Sequence, residues 1–207
     1  MDQDQKEKER KERLEKERAL DALKDFNYKK DNLEHFKELL EKGIPLDTPD
    51  ENDEFPLIKA VYAQNIDIIN YLISQKVNLY TTDLAGQTGM MVCARKGYLD
   101  IAKIFLRAGY SLNRSIPSTD HSVLSVAVWA ENLEIIRWLL NNKADVNCPD
   151  SQGWTPLMIA AYAGFTDIVK ELLKHHADTE KKNIRGSTAF DLAVFSNHTD
   201  IIALLKK

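Results

Sequence analysis

The sequence of 207 residues predicts an all-α solenoid of stacked helix-turn-helix units with β-hairpin fingers, and three observations support that prediction. A unit of 33 or 34 residues recurs five times between Phe55 and the C-terminus. Four of the five copies place a threonine or serine at one fixed position, and all five carry an acidic residue twelve positions later. A fixed period of this length indicates one supersecondary unit that stacks on copies of itself.

The acidic residues set the register of the repeat. Each is expected to begin a second helix, where a negative charge complements the helix dipole, so we assign these carboxylates a structural role. The fixed threonine-type positions are Phe55, Thr88, Ser122, Thr155 and Thr188. The acidic positions are Asp67, Asp100, Glu134, Asp167 and Asp200.

The clearest copy begins at residue 150 and predicts the structure of one unit. Thr155 is a good N-cap and Pro156 suits the first helical position, so a short helix begins here and ends at Gly164. The apolar residues of 168–173 have the spacing of one helical face. Residues 183–186 include an asparagine and a glycine that suit a tight turn, which completes helix, turn, helix and finger.

The motif Thr155-Pro156-Leu157, followed by Ala160-Ala161-Tyr162-Ala163-Gly164, resembles the ankyrin repeat. Ala144-Asp145-Val146-Asn147 and the degenerate copy Thr88-Gly89-Met90 with Ala94-Arg95-Lys96-Gly97 add to the resemblance, which covers about residues 22 to 207. The resemblance implies a slightly curved, right-handed stack of helix pairs. Its fingers would project to one side, beside a concave inner surface.

Residues 20–207 are expected to form one ankyrin repeat domain, because stacked repeats share a continuous core. Residues 20–47 are predicted to be an N-terminal cap whose first helix carries Leu20, Leu23 and Phe26. The five repeats are predicted at about 48–80, 81–113, 114–147, 148–180 and 181–207.

Residues 1–19 are a different kind of sequence, with seven basic and seven acidic side chains that cancel. Favourably ordered charge pairs indicate a solvated extension that runs into the cap as a helix. A coiled-coil segment or a nucleic-acid-binding arm is the alternative, although Leu14 and Leu20 are the only large apolar residues that follow Met1 there.

The composition favours a cytoplasmic chain, because no apolar stretch is long enough to span a membrane and the N-terminus lacks a secretion signal. Cys93 occupies the small, buried position that Ala160 has in its repeat, whereas Cys148 lies at the base of a finger. A disulfide needs Cα atoms within about 7 Å, so the two cysteines are expected to remain unpaired.

The sequence contains no recognisable catalytic motif and no paired-cysteine metal spacing. His175 and His176 are adjacent and would not converge on one metal ion. We therefore expect no enzyme, no cofactor and no bound metal. An enzyme built in the inner groove from His121 and Arg95 is one alternative, and a nucleic-acid-binding regulator is another, although the net charge of −4 disfavours it.

The remaining surface indicates a module that binds another protein as a monomer, as an adaptor, inhibitor or regulator. The resemblance implies that partners contact the fingers and the inner face of the first helices. Seven residues after each threonine-type position lies an aromatic residue in four repeats and an arginine in one, which we name the stripe: Tyr62, Arg95, Trp129, Tyr162 and Phe195. Trp154 and His121 are added from the fingers. Aromatic residues and arginine dominate interface hot spots, although these rings would also suit simple packing on a neighbouring helix.

The fingers differ in charge and length. Asp50, Glu51, Asp53 and Glu54 make the first finger acidic, and Lys181, Lys182 and Arg185 make the last one basic. This polarity would fix the direction of a partner. The finger at 113–121 is one residue longer and contains Pro117, which is either drift or a specificity element.

Overall fold

The computed structural model describes residues 3–24, 26–29, 31–41, 44, 46–50, 54–116 and 120–206. Within these ranges the chain forms twelve α-helices, in agreement with the predicted all-α solenoid. The chain divides into two compact units, Met1–Gly89 and Met90–Lys207.

The first unit contains four helices. They are α1 (Gln3–Lys24), α2 (Leu33–Leu40), α3 (Pro56–Ala63) and α4 (Ile66–Ser74). Helix α1 packs on α2, and α2 packs on α4. Helix α1 is continuous across residue 19, where the charged extension was predicted to give way to the cap.

Phe26 was predicted to lie in the first helix of the cap, and this placement is wrong. Helix α1 ends at Lys24, and Phe26 is buried in the loop that follows it. There its ring contacts Tyr28, His35 and Phe36 at centroid distances of 5.0, 5.7 and 5.2 Å. The loop therefore contributes to the core because its aromatic rings cover α2. The side chains of Leu20 and Leu23 lie outside the described part of the structure.

The second unit is a series of four helix pairs. They are α5 (Gly89–Lys96) with α6 (Leu99–Arg107), α7 (Val123–Trp129) with α8 (Leu133–Asn141), α9 (Pro156–Ala163) with α10 (Thr166–Lys174), and α11 (Ala189–Phe195) with α12 (Thr199–Leu205). Helix α9 packs on both α7 and α11, and α10 packs on both α8 and α12. First helices thus stack on first helices and second helices on second helices, as expected for a solenoid.

The helix ends follow the local sequence. The Thr155 hydroxyl accepts a hydrogen bond from the backbone N–H of Met158, Pro156 begins α9, and Gly164 ends it with a φ of +84°. The last repeat lacks the proline, which suggests a weak start for α11. In the structure, Thr188 and Asp191 form a reciprocal capping box, which stabilises the start of α11 without a proline. The five predicted acidic residues all lie in the first turn of a second helix.

The fingers are tight turns organised by one residue. Oδ1 of Asp150 accepts hydrogen bonds from the backbone N–H groups of Gln152 and Trp154, and Asp83 does the same in the first unit. Among the described residues the fingers contain no strand, and the pairing there is one isolated antiparallel bridge between Thr82 and Thr88. Pro117 of the longer finger lies outside the described residues.

The two cysteines differ in burial as the repeat register predicts. Cys93 is fully buried in α5, Cys148 is half-buried in a finger, and both thiols are free. Burial raises the pKa of both thiols, and the charge of Asp145 raises the pKa of Cys148 further. Neither thiol is therefore activated as a nucleophile.

Cys93→Leu is expected to lower the free energy of unfolding by about 1–3 kcal/mol, because extra methylenes overpack a tight core. Cys148→Ser should change it by less than about 0.5 kcal/mol, as is usual for substitutions outside the core. Urea unfolding of both variants checks the pair. Equal sensitivity of the two positions would show that the repeat register is wrong.

Candidate functional site

The second unit contains a cavity of about 640 Å³, which is lined by residues of α7, α9 and α11 and of two neighbouring fingers. We name this cavity the aromatic groove after the four aromatic side chains that line it: Trp129, Trp154, Tyr162 and Phe195. Trp129 ends α7, Tyr162 lies in the last turn of α9 and Phe195 ends α11. The repeat places these three side chains at equivalent points because the helices that carry them stack in register.

Three rings of the aromatic groove contact one another, and three of the four are exposed to solvent. Trp154 meets Tyr162 edge to face at a centroid distance of 5.4 Å, and Tyr162 stacks on Phe195 at 6.4 Å with an interplanar angle of 16°. Trp129, Tyr162 and Phe195 keep 48%, 39% and 79% of their surface exposed. These contacts fix the ring orientations without consuming the surface that a partner would cover.

Charged and polar groups line the same cavity. Asp150 and Asp191 contribute carboxylates, and Arg185 contributes a guanidinium group. Hydrogen bonds from the Thr188 backbone and side chain lower the pKa of Asp191, so its carboxylate is ionised at neutral pH. The groove therefore combines an apolar surface with a rim of mixed charge.

Asn183 also lines the cavity, although its side chain is only 5% exposed. Its Oδ1 accepts hydrogen bonds of 3.0 Å from the backbone N–H groups of Arg185 and Ser187, which shape the last finger. Its Nδ2 is buried and has no hydrogen-bond partner among the described residues. The sequence analysis assigned Asn183 only a role in the turn.

Tyr62, the stripe residue of the first unit, is engaged within that unit. Its hydroxyl donates a hydrogen bond of 2.7 Å to Oδ2 of Asp83. It lines a separate cavity of about 440 Å³ together with residues that include Tyr28 and Lys59. The Tyr62 hydroxyl therefore bonds a carboxylate, whereas the ring of Tyr162, its equivalent in the second unit, contacts two other rings.

The other proposed site residues lie elsewhere. Arg95 is half-buried near the end of α5, and its carbonyl accepts a hydrogen bond of 2.8 Å from Nδ2 of Asn132. His121 is exposed directly before the N-cap of α7. Both are described, and neither is among the residues that line the aromatic groove.

The charges of the fingers are distributed unequally. Glu51 and Asp53 lie outside the described residues, while Asp50 and Glu54 form ion pairs with Lys59, at 3.6 Å for Glu54. The three basic residues of the last finger, Lys181, Lys182 and Arg185, are exposed. Ile184 at the tip of the same finger is 69% exposed, and Leu84 at the equivalent position of the first unit is 75% exposed; the sequence analysis named neither.

A helical pair repeated every 33 or 34 residues, with tight fingers and solvent-open aromatic side chains on its first helices, defines a repeat protein of the solenoid class. The chain belongs to the ankyrin repeat family, since the family model described as "Ankyrin repeats (3 copies)" matches residues 26–116 and 124–207. Ankyrin repeats are generally modules for protein–protein interaction and are generally not enzymes.

Individual relatives share the repeats. The chain is 30% identical to an ankyrin repeat protein of Rickettsia bellii over 148 residues, which is 69% of this chain and 80% of that protein. It is 39% identical to the potassium channel AKT1 of Arabidopsis thaliana over 74 residues, 35% of this chain and 8% of the channel. It is 30% identical to an ankyrin repeat protein of fowlpox virus over 101 residues, 49% of this chain and 23% of the viral protein. In the described part of this chain, no helix is long and apolar enough to cross a bilayer.

Proposed function

We propose that this chain is a non-enzymatic protein-binding module that acts as an adaptor or regulator. It holds a segment of another protein in the aromatic groove and against the adjacent fingers. The observation that carries the proposal is the set of four aromatic side chains in one open cavity, three of which are oriented by contacts with one another.

The energetics support binding at this place. Removing apolar surface from water is favourable by about 25 cal/mol per Å², before the entropy lost on association is subtracted. Phe195 alone exposes 79% of its surface, and tryptophan and tyrosine are the residues most enriched at interface hot spots. Because ring contacts already restrict Trp154 and Tyr162, these two side chains lose little conformational entropy when a partner covers them.

The fingers beside the groove supply a direction. Lys181, Lys182 and Arg185 form an exposed basic finger next to the aromatic groove. A partner segment with acidic residues at one end would be oriented by this charge, which affects mainly the association rate.

We further propose that residues 20–207 act as one repeat domain with an N-terminal extension, in the cytoplasm, where free thiols persist.

Differential selection from a displayed library tests the proposal. A library of random dodecapeptides is selected in parallel on the wild-type chain and on the Trp129→Ala/Tyr162→Ala double variant. The proposal predicts peptide families that are enriched on the wild-type chain and absent from the double variant. Enrichment of the same families on both proteins would place the binding surface elsewhere.

A further inference from the structure

Asn183 differs in one atom from its counterparts in two other fingers. In Asp83, Asp150 and Asn183 alike, Oδ1 accepts the two backbone N–H groups that shape the finger. The second side-chain atom is a carboxylate oxygen in the two aspartates and an amide nitrogen in Asn183. The last finger therefore keeps the structural hydrogen bonds but carries a donor where the others carry an acceptor.

In the first unit, the second carboxylate oxygen of the finger aspartate accepts a further hydrogen bond. Oδ2 of Asp83 accepts a hydrogen bond from Tyr62, the stripe residue 21 positions earlier. Tyr162 precedes Asn183 by the same interval, 183 − 162 = 21. Among the described residues Tyr162 makes no hydrogen bond to Asn183, and its ring instead contacts Trp154 and Phe195. Tyr162 and Asn183 therefore lack the hydrogen bond that joins Tyr62 and Asp83.

The orientation of the Asn183 amide is fixed by its neighbours. A flipped amide would direct its two N–H bonds at the N–H groups of Arg185 and Ser187, which are themselves donors. The amide nitrogen must therefore point away from the finger backbone. A buried donor without an acceptor destabilises a protein, so a partner that supplies the acceptor relieves that penalty.

We propose that Nδ2 of Asn183 is a recognition group: an extended protein segment that binds in the aromatic groove opens the packing around this buried atom, and Nδ2 then donates a hydrogen bond to a main-chain carbonyl of the segment. The inference rests on the proposed function and names the chemistry of the bound segment. A neutral carbonyl fits better than a carboxylate, because the two carboxylates that line the cavity, Asp150 and Asp191, outnumber its one guanidinium group, Arg185. The carbonyls in the interior of a helix accept hydrogen bonds of that helix, so the segment is extended at this residue.

The carbonyl also sets the position of the adjacent side chain. Tyr162, Trp154 and Asn183 line one cavity, so a residue whose carbonyl reaches Nδ2 places its side chain against the two rings. That side chain is expected to be apolar. The bound motif is therefore an extended segment with an apolar residue next to the recognised carbonyl.

Asn183→Asp tests the inference, with the peptides from the differential selection as probes. The substitution retains the Oδ1 atom that shapes the finger and replaces the donor by an acceptor, so we expect the melting temperature to change little. Binding should weaken about tenfold to a hundredfold, because the peptide carbonyl would face a carboxylate. Asp83→Asn makes the reverse exchange in the first unit and should leave peptide affinity within about twofold, the effect expected away from the interface.

A second measurement uses the unmodified chain and does not depend on the folding of a variant. In ¹⁵N-labelled protein, the side-chain amide protons of Asn183 should move downfield when a selected peptide saturates the groove. The inference is overturned if these protons do not move. It is also overturned if a folded Asn183→Asp variant binds as tightly as the wild type.

The two proposals fail in different ways. Equal binding by the Asn183→Asp variant, together with lost binding by the Trp129→Ala/Tyr162→Ala variant, contradicts the role of Asn183 alone. Enrichment of the same peptide families on the wild-type chain and on the double aromatic variant contradicts the proposed function, and the inference fails with it.

Discussion

Replacing Trp129 and Tyr162 together by alanine is expected to weaken binding of peptides selected on the wild-type chain alone by more than about 2 kcal/mol, or about thirtyfold, the scale of an interface hot spot. The two rings lie at the ends of α7 and α9 and line one cavity, so their loss removes both apolar surface and the support for Trp154 and Phe195. Isothermal titration calorimetry measures the effect.

The double variant should fold normally, since Trp129 is 48% exposed and Tyr162 is 39% exposed. Leu204→Ala is the matched control: Leu204 is 41% exposed on α12 and is not a lining residue of the groove. This control should retain wild-type affinity. A double variant that unfolds would show that the rings serve the core, and one that binds normally would show that the groove is not the site.

Truncation before Gly186 is expected to have the largest effect on stability. It removes α11 and α12, which pack on α9 and α10, and with them the buried side chains of Leu192, Ile201 and Leu205. Each fully buried apolar side chain contributes about 1.5–3 kcal/mol, so several kcal/mol are lost. For a chain of this size we expect the melting temperature to fall by about 10 °C or more.

The truncated chain should also aggregate, because the apolar faces of α9 and α10 become exposed. Thermal unfolding and light scattering measure the two consequences. Deletion of residues 1–18 is the contrasting control, since the described side chains of that segment are exposed and should contribute little. A monomeric truncated chain with an unchanged melting temperature would contradict one-dimensional stacking of the helix pairs.

Helix starts and ends could be predicted from the sequence because their causes are local. Thr155, Pro156 and Gly164 are each within a few residues of the backbone groups that they cap or end. The same holds for Asp167 in the first turn of α10. A periodic sequence repeats these local causes, so one clear copy identifies the fainter ones.

Other features depend on contacts that are distant in sequence, so the sequence alone did not reveal them. Phe26 lies beyond the end of α1, where its ring contacts His35 and Phe36, nine and ten residues further along the chain. The stripe predicted equivalent roles for Tyr62 and Tyr162, but one hydrogen-bonds to an aspartate while the other contacts two rings. The residue 21 positions later, aspartate or asparagine, was the signal of that difference.

Intermolecular nuclear Overhauser effects between the full chain and a peptide selected on it test the central claim most directly. Our account predicts contacts from one apolar peptide side chain to the ring protons of Trp154 and Tyr162, and further contacts to Trp129 and Phe195. Contacts confined to α8, α10 and α12, with none to these four rings, would contradict it.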